Sequence, residues 1–126
     1  SWLEHIYVDG NRLYIPILIP RDTAVLSWQI QLRYDPSILQ LLSVSNQTPD
    51  FHLIESRSHG VVEAGMYGAH PIQLAEPFAI FEFAVINDKP GLLSIEVPYF
   101  QVNDQMQQQG NTAIATQPSR RRILCS

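Results

Sequence analysis

From Leu26 to Tyr34 every second residue is large and apolar: Leu26, Trp28, Ile30, Leu32 and Tyr34, separated by Ser27, Gln29, Gln31 and Arg33. A strand sends successive side chains to opposite faces. The pattern therefore predicts a strand with the first set packed on a core and the second open to solvent. Asp35-Pro36 ends it, since proline cannot donate to a ladder and its fixed φ favours a turn.

The same alternation recurs along the chain. Leu13, Ile15, Ile17 and Ile19 form an apolar stripe, and Pro16 among them marks an edge or a bulge. Arg21-Asp22-Thr23 reads as a turn. Ile38 to Val44 has too many leucines for a clean period, but Ser43-Val44-Ser45 favours a strand over a helical turn. Asn46 to Asp50 is loop chemistry, Phe51 to Ser56 a short strand, and Ser58-His59-Gly60 a turn. Val61 to Tyr67 alternates, with Val62, Ala64 and Met66 on one side and Val61, Glu63, Gly65 and Tyr67 on the other. Gly, His and Pro punctuation over Gly68 to Pro77 predicts an exposed loop.

Phe78 to Ile86 is a strand with Phe81, Phe83 and Val85 inward and Glu82 outward. Asn87 to Gly91 turns the chain, and Leu93, Ile95 and Val97 mark another strand, with Ser94 and Glu96 facing solvent. The polar, glutamine-rich stretch Asn103 to Gly110 precedes a closing strand at Thr112 to Thr116. About nine short strands with turns between them, and no sustained helical period, predict an all-β sandwich.

Composition adds limits. A chain of 126 residues, 45% hydrophobic and 16% charged, suits one soluble domain and is too interrupted for a membrane span. A net charge of −4 argues against nucleic acid, because little would displace counterions from phosphates. The basic run Arg120-Arg121-Arg122 reads as part of a solvated tail, 119–126, beyond a domain of residues 1–118. One cysteine, Cys125, rules out an internal disulfide framework and a cysteine-rich zinc site. Ser1 is not an initiator methionine and no signal-peptide pattern opens the chain, so it reads as a fragment of a longer protein. Asn46-Gln47-Thr48 fits the glycosylation pattern, which three residues match easily by chance.

No catalytic motif is present: no nucleophile elbow, zincin helix, phosphate loop or dinucleotide fingerprint. His5, His52, His59 and His70 lack ligand spacing. Glu76 with Glu82, or Glu55 with Glu63, can be posed as a carboxylate pair, but any acidic protein offers such pairs. Asn103-Asp104 with Gly110 resembles a calcium loop only faintly, since the intervening Gln-Met-Gln-Gln-Gln lacks the necessary oxygens. No enzyme, cofactor or metal site is expected. The aromatic residues read mainly as core, Trp28 among them; Tyr67 is expected to face outward.

The order of segments resembles the cohesin domains of bacterial cellulosome scaffoldins. Ile15-Pro16-Ile17 comes first, then Arg33-Tyr34-Asp35-Pro36-Ser37-Ile38-Leu39, Gly60-Val61-Val62, and the strand from Phe78 to Val85. Pro90-Gly91-Leu92-Leu93-Ser94-Ile95-Glu96, Phe100-Gln101-Val102-Asn103-Asp104 and Gly110-Asn111-Thr112-Ala113-Ile114 complete the set, which spans roughly residues 5–117. The resemblance implies a jelly-roll β-sandwich that is not an enzyme. It also implies an extracellular or cell-surface setting and a partner, the calcium-loaded dockerin module, bound on one flat sheet face. On this chain that face comprises Ser27, Gln29, Gln31, Glu63, Gly65 and Tyr67, completed by Gln105 and Met106. Ser27 and Gln29 stand where the family usually has Asn and Asp, and Gly68-Ala69 lacks a common acidic residue. The alternative partner is a polysaccharide, bound by a carbohydrate-binding module of similar fold through a row of exposed rings.

Overall fold

The computed structural model describes residues 5–87, 92–107, 110–115 and 123–125. Eleven strands account for most of them: β1 (Tyr7–Asp9), β2 (Arg12–Pro16), β3 (Val25–Arg33), β4 (Leu39–Asn46), β5 (His52–Ser58), β6 (Val61–Ile72), β7 (Ala79–Val85), β8 (Leu92–Val102), β9 (Gln105–Met106), β10 (Gly110–Ala115) and β11 (Ile123–Cys125). They form an all-antiparallel jelly-roll sandwich. A four-stranded sheet has the order β1-β2-β7-β4, and a seven-stranded sheet the order β11-β10-β8-β3-β6-β5 with β9 beside β8. Most of the tail expected over 119–126 lies outside the described residues; Ile123–Cys125 pairs with β10.

The core lies between the sheets, where alternation predicts it. Leu13, Ile15 and Ile17 from β2 and the segment after it meet Phe81 and Phe83 from β7, facing Trp28, Ile30 and Leu32 from β3 and Val62, Ala64 and Met66 from β6. Trp28 is fully buried and its Nε1 has no hydrogen-bond partner among the described residues. It therefore holds its place by volume rather than by a polar contact.

Two expectations are corrected. Leu26 does not join the inward set: it is 41% exposed, and Val25 is buried in its stead. The cause is a register shift between Val25 and Ser27, held by a residue far away in sequence. Asn103 Oδ1 accepts from the Leu26 N–H at 2.8 Å and the Ser27 N–H at 3.3 Å, and Asn103 Nδ2 donates to the Ala24 carbonyl at 3.0 Å. Asn103 sits at φ 55°, a left-handed conformation that asparagine tolerates better than most residues.

The second correction concerns Gly68 to Pro77. Its first part is not loop, because β6 runs on to Ile72, and Val25 pairs with Ile72 at its far end. β5 ends opposite Tyr67, at His52. Residues 68–72 therefore have a strand on one side only, where a proline such as Pro71 is tolerated. Gly68 is needed for another reason: a Cβ there would lie 2.3 Å from Cε1 of the buried Phe51 ring.

The remaining turns follow local chemistry. Gly60, at φ 77°, closes the β5–β6 hairpin in a conformation that favours glycine. Asp35 accepts from the Ser37 N–H at 2.9 Å and the Ser37 hydroxyl at 2.6 Å, which holds its carboxyl below the usual range. The predicted turn over Asn87 to Gly91 lies mostly outside the described residues.

Candidate functional site

β8, β3, β6 and β5 lie side by side, and their register lays out the outer face of the large sheet in rows. Ser27, Tyr67 and His52 form one row; Gln29, Gly65 and Ile54 the next; Gln31, Glu63 and Ser56 the third. From β8, Gln101 extends the second row and Tyr99 the third. Six of the eight residues expected at the site, Ser27, Gln29, Gln31, Glu63, Gly65 and Tyr67, thus share one surface. They do so because odd positions of β3 pair with odd positions of β6 and both sets point away from the core.

The other two separate. Met106 pairs with Gln101 and so lies on this face, with Gln101 between it and Gln29. Gln105 pairs with Val102, a core residue, which places it on the other side of the pleat.

The face has firm ends and an open middle. Gln31 Nε2 donates to Glu63 Oε1 at 2.7 Å across one row. In another, the His52 and Tyr67 rings stack with centroids 5.2 Å apart and planes at 28°. Between them Gly65 offers no side chain, leaving a hollow of ≈ 290 Å³ walled by Gln29, Ile54, Glu63, Tyr67 and Tyr99. A Cβ on Gly65 would come within 2.8 Å of the Trp28 carbonyl oxygen, so β3 and β6 approach here as closely as glycine permits. Ile54 is 60% exposed, Met106 58% and Tyr67 48%. Burial, then the nearby Glu63 charge, pushes the Tyr99 hydroxyl above its ordinary pKa.

The face presents amides, hydroxyls, the His52 imidazole, apolar side chains and one carboxylate, Glu63. Glu55 and Glu63 stand on opposite sides of the sheet, because Glu55 pairs with Ala64. Glu82 is held by Arg12 at 3.3 Å on the other sheet. Among the described residues no three His, Cys, Asp or Glu side chains converge. The Asn103 side-chain oxygen that a calcium loop would need already accepts two backbone N–H groups. The glycosylation-like triplet serves the fold in a similar way: Asn46 Nδ2 donates to the Phe51 carbonyl at 2.8 Å, and the buried Thr48 hydroxyl to that of Phe78 at 3.2 Å.

Sequence reasoning missed His52, Ile54, Tyr99 and Gln101 as members of this face. β5 (HLIESRS) shows no apolar alternation, so nothing in it signals which residues share a side. Tyr99 and Gln101 follow Pro98, where β3 advances two residues against three of β8. That bulge resets the phase of β8 beyond it.

No protein-family model matches the sequence, and no curated protein is similar to it by sequence. Comparison with solved structures is informative. The chain superposes on a cohesin module of a family 33 glycoside hydrolase from Clostridium perfringens with a TM-score of 0.70 and 12% identity, covering 89% of this chain and 93% of that one. A non-cellulosomal cohesin from the archaeon Archaeoglobus fulgidus gives 0.62 and 14%, with 79% and 75% covered. The cohesin of a type I cohesin–dockerin complex from Clostridium thermocellum gives 0.59 and 17%, with 83% and 89% covered. The fold is that of cohesin modules. The resemblance in segment order and the three-dimensional likeness agree, although few residues are shared.

Proposed function

We propose that this chain is a non-catalytic interaction module that binds a dockerin-type protein on the outer face of its large sheet, in an extracellular or cell-surface assembly. The observation that carries the reading is the convergence of Ser27, Gln29, Gln31, Glu63, Gly65, Tyr67 and Met106 on one surface with a hollow at its centre. Several structures of the same fold, from Clostridium thermocellum and Acetivibrio cellulolyticus, are cohesins in complex with dockerins. Four adjacent strands offer a flat platform, and a specific complex of ordinary size buries roughly 1,600 Å² in total. Tyr67 is the candidate anchor, since tyrosine is enriched at binding hot spots. Gln29 supplies a donor and an acceptor while Gln31 is held by the Glu63 carboxylate, so recognition here leans on shape and apolar contact.

Binding of the purified domain to a panel of dockerins, with calcium and with chelator, tests the reading. Calcium-dependent capture of at least one dockerin, weakened about tenfold by Gln29→Ala or Tyr67→Ala without loss of folding, is expected. Wild-type affinity in both variants overturns the assignment of the face. Failure across the panel together with retention on insoluble polysaccharide replaces the dockerin reading with glycan binding.

A further inference from the structure

β5 is the last strand of the large sheet. Its inner neighbour is β6, and among the described residues no strand pairs with its other edge. Six of its seven residues are exposed. Such an edge invites another strand unless something opposes it. The side chains that bear on this are Glu55 and Arg57, which form an ion pair within the strand. They lie opposite Ala64 and Val62, on the core-facing side of the sheet, at its rim. Charges at that position disfavour indiscriminate pairing. Their order along the strand, however, makes β5 complementary to itself.

We propose that β5 is a self-association edge, and that a second copy of this chain pairs with it antiparallel about a two-fold axis through Ser56. In an antiparallel ladder, directly opposed residues stand on the same face and their side chains interact. With Ser56 opposite its own copy, Glu55 of each chain faces Arg57 of the other, giving two opposite-charge pairs. Ile54 faces Ser58 on the outer side. Sliding the strands by two residues in one direction sets Glu55 against Glu55; sliding in the other sets Arg57 against Arg57. Like charges directly opposed are destabilising, so the charge pattern selects one register. A one-residue slip would set the core-facing side chains of one copy against the solvent-facing ones of the other. The symmetry is that of the commonest homodimer. The two large sheets become continuous, and their outer faces, with Ile54 and Ser56 near the axis, form one surface carrying two copies of the candidate site. A partner with two binding segments would then gain avidity on a single platform.

Sedimentation equilibrium and disulfide trapping test this without any partner. The wild-type chain is expected to show a concentration-dependent monomer–dimer equilibrium. Arg57→Glu should weaken it about tenfold or more, because both cross-strand pairs become repulsive. The swap Glu55→Arg with Arg57→Glu should restore it, since it re-forms the same two pairs in the same register. Circular dichroism of each variant checks that these exposed changes leave the fold intact.

In a Cys125→Ser background, Ser56→Cys should cross-link under mild oxidation, because directly opposed Cα atoms lie about 4.5–5.5 Å apart, within disulfide reach. Ser58→Cys should not, as the two copies of residue 58 would be about 14 Å apart along the strands. A chain that stays monomeric up to about 1 mM overturns the proposal. So does a dimer that survives Arg57→Glu, a swap that fails to restore it, or cross-linking at residue 58 as fast as at residue 56.

Discussion

On the small sheet, Tyr7 lies flat against Tyr14, with ring centroids 4.8 Å apart and planes at 17°, and Arg12 is held by Glu82. On the large sheet, paired side chains occupy two rows, Gln31 with Glu63 and His52 with Tyr67, while the row between them is open at Gly65. Both surfaces are polar and aromatic, and composition alone would not separate them. What differs is the opening between the paired side chains. The small sheet also exposes apolar area, at Tyr7 and Leu42, but neither ring of its stacked pair offers both faces to a sugar. The large sheet's surface leaves Gln29, Ile54 and Tyr99 around the hollow at Gly65, which is what a partner needs.

The largest expected effect tests the support beneath the large face. Gly68→Ala drives a methyl group into the Phe51 ring, which is buried and set edge-on to Phe78. Overpacking of this kind costs about 2 kcal/mol. Urea denaturation should show it, along with lost partner binding, because Tyr67 is the preceding residue. Asn103→Ala comes next. It removes the acceptor of two backbone N–H groups and leaves alanine at positive φ, for a further loss of about 2 kcal/mol by the same assay. Asn103→Gly relieves the backbone strain but not the lost bonds, and should recover about half of that.

A crossed pair of variants sharpens the contrast itself. Tyr67→Ala should weaken partner binding about tenfold, at a stability cost of about 0.5–1 kcal/mol from its lost stack on His52. Tyr7→Ala should lose a similar amount, about 0.5–1 kcal/mol, with its own stacking partner and leave binding unchanged. If both variants lower stability and neither lowers affinity, the two faces do not differ in the way described.

The smallest effect is spectroscopic. Burial first, and then a neighbouring carboxylate, raises the hydroxyl pKa of Tyr99 on the large face through Glu63 and of Tyr14 on the small face through Glu82. Removing a negative charge stabilises the phenolate and lowers the pKa. Glu63→Gln should therefore shift the titration of Tyr99 downward and not that of Tyr14, and Glu82→Gln the opposite, followed by tyrosine resonances in NMR. Neither returns to the ordinary value, because burial remains.

Much of the fold was legible because alternation is a local signal. The inward sets Trp28–Ile30–Leu32, Val62–Ala64–Met66 and Phe81–Phe83–Val85 need no knowledge of partners. The face made by β3 and β6 was legible for the same reason. The errors fall where a distant residue overrides local pattern. Leu26 turns outward because Asn103, 77 positions away, holds its N–H. β6 persists through Pro71 because only one side of it is paired there. Ile54 and Tyr99 escaped notice because strand pairing across a hairpin and a bulge at Pro98 decide their side of the sheet. Gly68, whose sequence context suggested an exposed loop, is instead a packing position beneath Phe51.

The most direct test of the central claim, that the open face of the large sheet is the binding surface, is an NMR titration of the isotopically labelled domain with a calcium-loaded dockerin. Amide and side-chain shifts should concentrate at Ser27, Gln29, Gln31, Glu63, Gly65 and Tyr67, with Tyr7, Tyr14 and Glu82 unmoved. Shifts clustered on the small sheet, with the hollow at Gly65 undisturbed, would contradict it.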